Sequence, residues 1–109
     1  MAFSEQLATR VRRVLPRGQS IEEKKMFGGL AFLAAGHMGC GILDERLMVR
    51  VAREDYERAL AEPHVHVMDF TGRPMRGFVY VDADGIEADA DLARWVARGI
   101  EFASTLPPK

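Results

Sequence analysis

Cys40 and the three histidines, His37, His64 and His66, are the side chains of this 109-residue chain best suited to covalent or metal chemistry. Cys40 lies between Gly39 and Gly41, and a lone thiol there becomes a nucleophile only if a base or cation lowers its pKa. His37 is three residues away, and on a regular strand an odd spacing sends two side chains to opposite faces. Cys40 therefore reads as a small buried hydrophobe. A thiol-dependent enzyme centred on Cys40 is the alternative. His64 and His66 would share a strand face, yet no third ligand completes a recognisable metal pattern around them. Asp82, Asp84, Glu87, Asp89 and Asp91 resemble the opening of a calcium loop but lack its third oxygen ligand and closing glutamate. Turn and helix-cap duty is the expected role, with Asp89 or Asp91 capping a final helix. Phe27-Gly28-Gly29-Leu30 fits neither phosphate-loop spacing. No complete acid/base, nucleophile or metal set emerges, and no cofactor is expected.

Two groups of residues suggest binding instead. Arg73-Pro74-Met75-Arg76 sets two arginines around a rigid proline in a turn-like stretch, and loops of this kind often carry binding residues. Arg73, Met75 and Arg76 are the candidate contacts for a protein partner. The second group is basic: Arg10, Arg13 and Arg17 at helical spacing, with Lys24 and Lys25 beyond, a candidate surface for nucleic-acid phosphate. Residues 1–50 carry eight Lys or Arg against five Asp or Glu, whereas the remainder carries seven against eleven. Glu22 and Glu23 offset the basic stretch and the net charge is -1, so direct DNA contact is the less favoured of the two.

These residues must be positioned by a scaffold, and most of its strand-forming sequence lies between Lys24 and Val51. Apolar runs there are broken by Gly28-Gly29, Ala35-Gly36 and Asp44-Glu45, so three turns predict about four antiparallel strands. Gly28-Gly29 is expected at a bulge or sharp bend. Leu30 to Ala34 is apolar throughout, as in a central strand covered on both faces. Leu47, Val49 and Val51 alternate with Met48 and Arg50, so only the first set is expected in the main core.

Ser4 is the expected N-cap of a helix carrying Leu7, Ala8, Val11 and Val14. A short helix is predicted over 53–60, then a hairpin over 65–81 with a turn near Thr71 to Pro74. A last helix buries Leu92, Trp95, Val96, Gly99, Ile100 and Ala103 along one stripe. The five methionines after Met1 fall on strands or their flanks, where core filling is their expected role. No apolar stretch reaches the roughly 20 residues of a membrane span, and one cysteine suits a reducing compartment, so a cytoplasmic location is expected.

The run Glu23 to Phe32 (EKKMFGGLAF), then Leu47-Met48-Val49-Arg50-Val51, Met68 to Met75 (MDFTGRPM) and the closing Leu106-Pro107-Pro108-Lys109 resemble the N-terminal domain of TfoX/Sxy proteins. The resemblance spans almost the whole chain. It implies a non-enzymatic bacterial regulator of natural competence that acts with a transcription factor of the cyclic-AMP receptor protein type, and it supplies no catalytic residues. Longer members add a C-terminal helical domain, so this chain reads as a stand-alone N-terminal domain.

The fold expected is therefore a single α+β domain: an antiparallel sheet of about five or six strands packed with N- and C-terminal helices and a short crossing helix. The function expected is a regulatory interaction module that works through protein contacts, with a homodimer compatible and a small-molecule-binding module as a further alternative.

Overall fold

The computed structural model describes residues 3–15, 20–26, 28–69 and 74–107, with the side chains of Met26, Met68, Asp69, Pro74, Met75 and Arg76 left out of the description. Helix α1 covers Glu5–Val14, and its N-cap is Ser4, whose hydroxyl accepts from the Leu7 N–H at 3.2 Å. Four strands follow in antiparallel succession: β1 (Ile21–Met26), β2 (Gly29–Ala34), β3 (His37–Leu43) and β4 (Arg46–Arg50). A single 3-10 turn, Arg53–Asp55, runs into α2 (Tyr56–Leu60). Strands β5 (Val65–Asp69) and β6 (Pro74–Val81) form the second hairpin, and α3 (Asp89–Ser104) closes the fold after another 3-10 turn at Ala83–Ile86. The six strands form one antiparallel sheet in the order β1-β2-β3-β4-β6-β5. This is the α+β architecture that the turn spacing predicted.

The three turns predicted between Lys24 and Val51 are present, and dihedrals explain their residues; the turn predicted near Thr71 to Pro74 falls on positions outside the described residues and on Pro74, which opens β6. Ala35 and Gly36 both have positive φ, 54° and 84°, as a two-residue hairpin between right-twisted strands requires. Gly28 turns the first hairpin at φ 76°. A bulge lies between β2 and β3, where Phe32 opposes Cys40 and Leu33 opposes Met38, leaving Gly39 as the extra residue. The reason is steric. A Cβ on Gly39 would stand 2.9 Å from the Gly99 carbonyl oxygen and 2.8 Å from the Ile100 Cδ1, so only glycine lets the strand press on α3 there.

All three helices pack on one sheet face. Leu30, Phe32, Cys40, Ile42, Leu47, Val49, Val79 and Val81 meet Val11, Ala59, Leu92, Trp95, Val96 and Ile100 in one core, and the predicted α3 stripe is buried in full. Burying such side chains contributes about 1.5–3 kcal/mol each. Met48 is on the opposite face but only 1 % exposed, packed with Tyr80, Leu43 and Phe78 in a second small cluster. The guanidinium of Arg46 lies 4.1 Å from the Tyr80 ring centroid and that of Arg50 lies 5.3 Å from Phe78, so arginine stems roof this cluster.

Two details correct the sequence reading. Strand β6 begins at Pro74, so Pro74, Met75 and Arg76 lie in a strand and not in the turn; proline is tolerated as a strand's first residue because its missing N–H removes no interior ladder bond. The N-cap position of α3 is Ala88, with no side-chain cap, and Asp89 is the first helical residue. Asp89 is drawn off by Arg10, which it contacts at 3.2 Å.

Candidate interaction surface

The second hairpin outruns its neighbour. The β4–β6 ladder ends where Arg50 opposes Phe78, with one further bond from the Val51 N–H to the Gly77 carbonyl at 2.8 Å. Beyond it, Pro74 to Arg76 belong to β6 but have no β4 partner among the described residues, and Pro74 lies opposite Asp69 of β5. Gly77 marks the departure at φ 92°, a conformation that L side chains rarely adopt. The β5–β6 hairpin therefore continues past the body of the sheet as an arm. Met75 and Arg76 lie on that arm; Arg73 lies outside the described residues. At its base a cleft of about 350 Å³ is lined by Arg53, Tyr56, Glu57 and Gly77, so α2 and the arm share one surface.

The basic set is dispersed. Arg10 extends across to the segment before α3 and donates to the Ile86 carbonyl at 2.7 Å, the Glu87 carbonyl at 2.9 Å and Asp89 Oδ1 at 3.2 Å. It is a tie between α1 and the start of α3. Arg12 grips Glu23 with two bonds of 2.8 and 2.7 Å, and its hydrogen bond holds the Glu23 carboxyl below the usual range despite some burial. That contact places Glu23, with Ile21 and Lys25, on the helix side of β1, and Lys24 on the other. Arg13 and both lysines are exposed, and Arg17 lies outside the described residues.

Cys40 is fully buried and its thiol is pushed up to about 12 by desolvation, which leaves it protonated at neutral pH. The bulge overturns one step of the sequence reading. Because Gly39 is an extra residue, His37 opposes Ala34 and Cys40 opposes Phe32, so both sit on the helix face despite their odd spacing. His37 is still not a base for the thiol: its Nε2 lies 2.6 Å from the Pro107 carbonyl. His64 is not in the strand but in a turn at φ 67°. His66 Nε2 meets Asp82 Oδ2 at 2.6 Å, a cross-strand partner that sequence spacing did not reveal. Among the described residues no group of three or more His, Cys, Asp or Glu could hold a metal ion.

The fold is thus a one-domain α+β structure with a helix-covered sheet, a buried thiol and a second hairpin that outruns its neighbour. The family model described as the TfoX N-terminal domain matches residues 13–103 of the 109-residue chain. The chain belongs to the TfoX N-terminal domain family. Searches among curated proteins and among solved structures found no match. No helix among the described residues is long and apolar enough to cross a membrane.

Proposed function

We propose that this chain is a non-enzymatic regulatory module of the cytoplasm that works by docking a protein partner on the projecting arm of the second hairpin. The observation that carries this reading is the overrun of β6 beyond β4, which leaves Pro74 to Arg76 without a β4 partner among the described residues. A strand segment with an open side offers backbone bonds to a partner, and alternate side chains supply selectivity. Arg73 and Arg76 around Met75 suit an acidic partner surface with an apolar recess. Family membership supports a regulatory role. The resemblance to TfoX/Sxy proteins directs it to a transcription factor of the cyclic-AMP receptor protein type in competence control.

Capture of partners from native cells, with and without nuclease treatment, tests the reading. A partner retained after nuclease and lost with Arg73→Ala/Arg76→Ala supports it. Binding of the isolated chain to non-specific duplex at low salt, abolished by Arg13→Ala/Lys25→Ala but unchanged by Arg73→Ala/Arg76→Ala, would overturn it. A phosphate surface would also betray itself by salt dependence, with a log-log slope of about -0.9 per neutralised phosphate.

A further inference from the structure

Among the described residues, strand β1 ends the sheet on the side away from the arm and pairs only with β2, so alternate backbone N–H and C=O groups along it face outward. Its sequence is Ile21-Glu22-Glu23-Lys24-Lys25-Met26, and the four charged residues are exposed. Edge strands are often blunted by charge, and a run of one sign repels any further strand. This run does the opposite when it meets itself.

We infer that the chain forms a two-fold homodimer by pairing β1 with β1 of a second copy, antiparallel, so that two six-stranded sheets become one. In an antiparallel pair, opposed residues share a face, so a two-fold axis normal to the sheet must pass through a residue opposite its own copy. Two central registers are then available. Centred on Lys24, the axis sets lysine against lysine, places Glu22 against Met26, and offers Lys25 only a Glu23 carboxylate whose charge Arg12 already offsets. Centred on Glu23, it places Glu22 opposite Lys24 twice, on the face without helices, and Ile21 opposite Lys25. The two Glu23 carboxylates that meet at this axis each carry an Arg12 guanidinium, bound at 2.7 and 2.8 Å, which neutralises their repulsion. Glu22 and Lys24 make no hydrogen bond or ion pair among the described residues, so both enter uncommitted. The Glu23-centred register is the one the charges select.

The opposite edge is a poorer surface for a second copy. Along the β5–β6 ladder one residue between Val67 and Asp69 stands against four between Pro74 and Val79, and an irregularity of that kind bends and twists the hairpin that carries this edge. His66 is already bound to Asp82, and Val67, 41 % exposed, brings no charge to pair with a second copy. The inference does not rest on the docking arm, which lies at the far end of the strand order.

Charge exchange tests both the dimer and its register. Molecular mass by sedimentation at low ionic strength, over a wide concentration range, is expected to show a dimer of the unaltered chain. Glu22→Lys and Lys24→Glu each turn two attractive pairs into repulsive ones, and each is expected to weaken the dimer by roughly tenfold or more. Mixing the two single variants should restore association as a heterodimer, because each then supplies the charge the other needs. The double variant Glu22→Lys/Lys24→Glu should pair with itself again. Circular dichroism checks that every variant is folded, and the mixture needs no variant to be compared with an unfolded one. A monomer at all concentrations, a dimer indifferent to either single change, or a loss that neither mixing nor the double variant repairs would overturn the inference.

Discussion

Cys40 shows how burial decides chemistry. Its thiol, raised to about 12, would be ionised at roughly one part in ten thousand at pH 8. Alkylation of the native protein at pH 8 should thus be slower by orders of magnitude than that of the unfolded chain, and its rate should follow unfolding. Fast labelling of the folded chain would show the thiol to be accessible and revive a thiol-dependent reading. The pH dependence has a definite sign. The folded state holds the thiol proton more tightly than the unfolded state, whose thiol ionises near 8.5, so stability is complete below that pH and declines as pH rises towards 12. The burial of Cys40 was expected because a free cysteine without a base beside it packs as a small hydrophobe. Its face relative to His37 was not, because alternation counts residues and the bulge inserts one.

At the scale of elements, α3 and β3 are held at a distance set by two glycines. A Cβ on Gly99 would collide with the Gly39 carbonyl oxygen and meet Val49 Cγ1 at 3.3 Å, and neither the strand backbone nor the helix can yield without moving the sheet. Gly99→Ala is therefore expected to destabilise the fold by about 2–3 kcal/mol, although alanine is the better helix former by about 1 kcal/mol. Thermal unfolding should register a fall of roughly 10 °C or more. An unchanged or higher melting temperature would mean that the contact relaxes freely. The α3 stripe was readable because Leu92, Trp95, Val96, Gly99 and Ile100 follow helical spacing, and the first four strands because their turns carry Gly or Asp. The start of β6 was misread because Arg73-Pro74 has the composition of a turn, and nothing local reveals that β5 is there to pair with Pro74.

At the scale of the molecule, the helices are tied to their neighbours by contacts between residues far apart in sequence. Arg10 joins α1 to the start of α3, Arg12 joins it to β1 through Glu23, and Glu62 joins the end of α2 to α3 by accepting from Arg94 at 3.2 Å and Arg98 at 2.9 Å. Both of those guanidiniums also lie over the Trp95 ring, 5.0 and 4.9 Å from its centroid. None of these pairings was legible, since charge along a chain does not say which distant residue it will meet. They do predict the response to acid. Partial burial opposes the charge on Glu62, but the hydrogen bonds from Arg98 and Arg94 outweigh it and hold its carboxyl below the ordinary value. A carboxyl depressed in the folded state contributes stability above its unfolded pKa of about 4.3, and that contribution is lost as pH falls through the folded value. Glu62→Gln should then lower the stability by about 1 kcal/mol near pH 7, a modest figure because the pair is partly open to water. The difference between the two proteins should shrink as pH falls below the unfolded value. Melting temperatures of both between pH 7 and about pH 3 test this: parallel curves would show that the carboxylate is not what Arg94 and Arg98 hold, and converging curves would place α2 under the control of one ionised group.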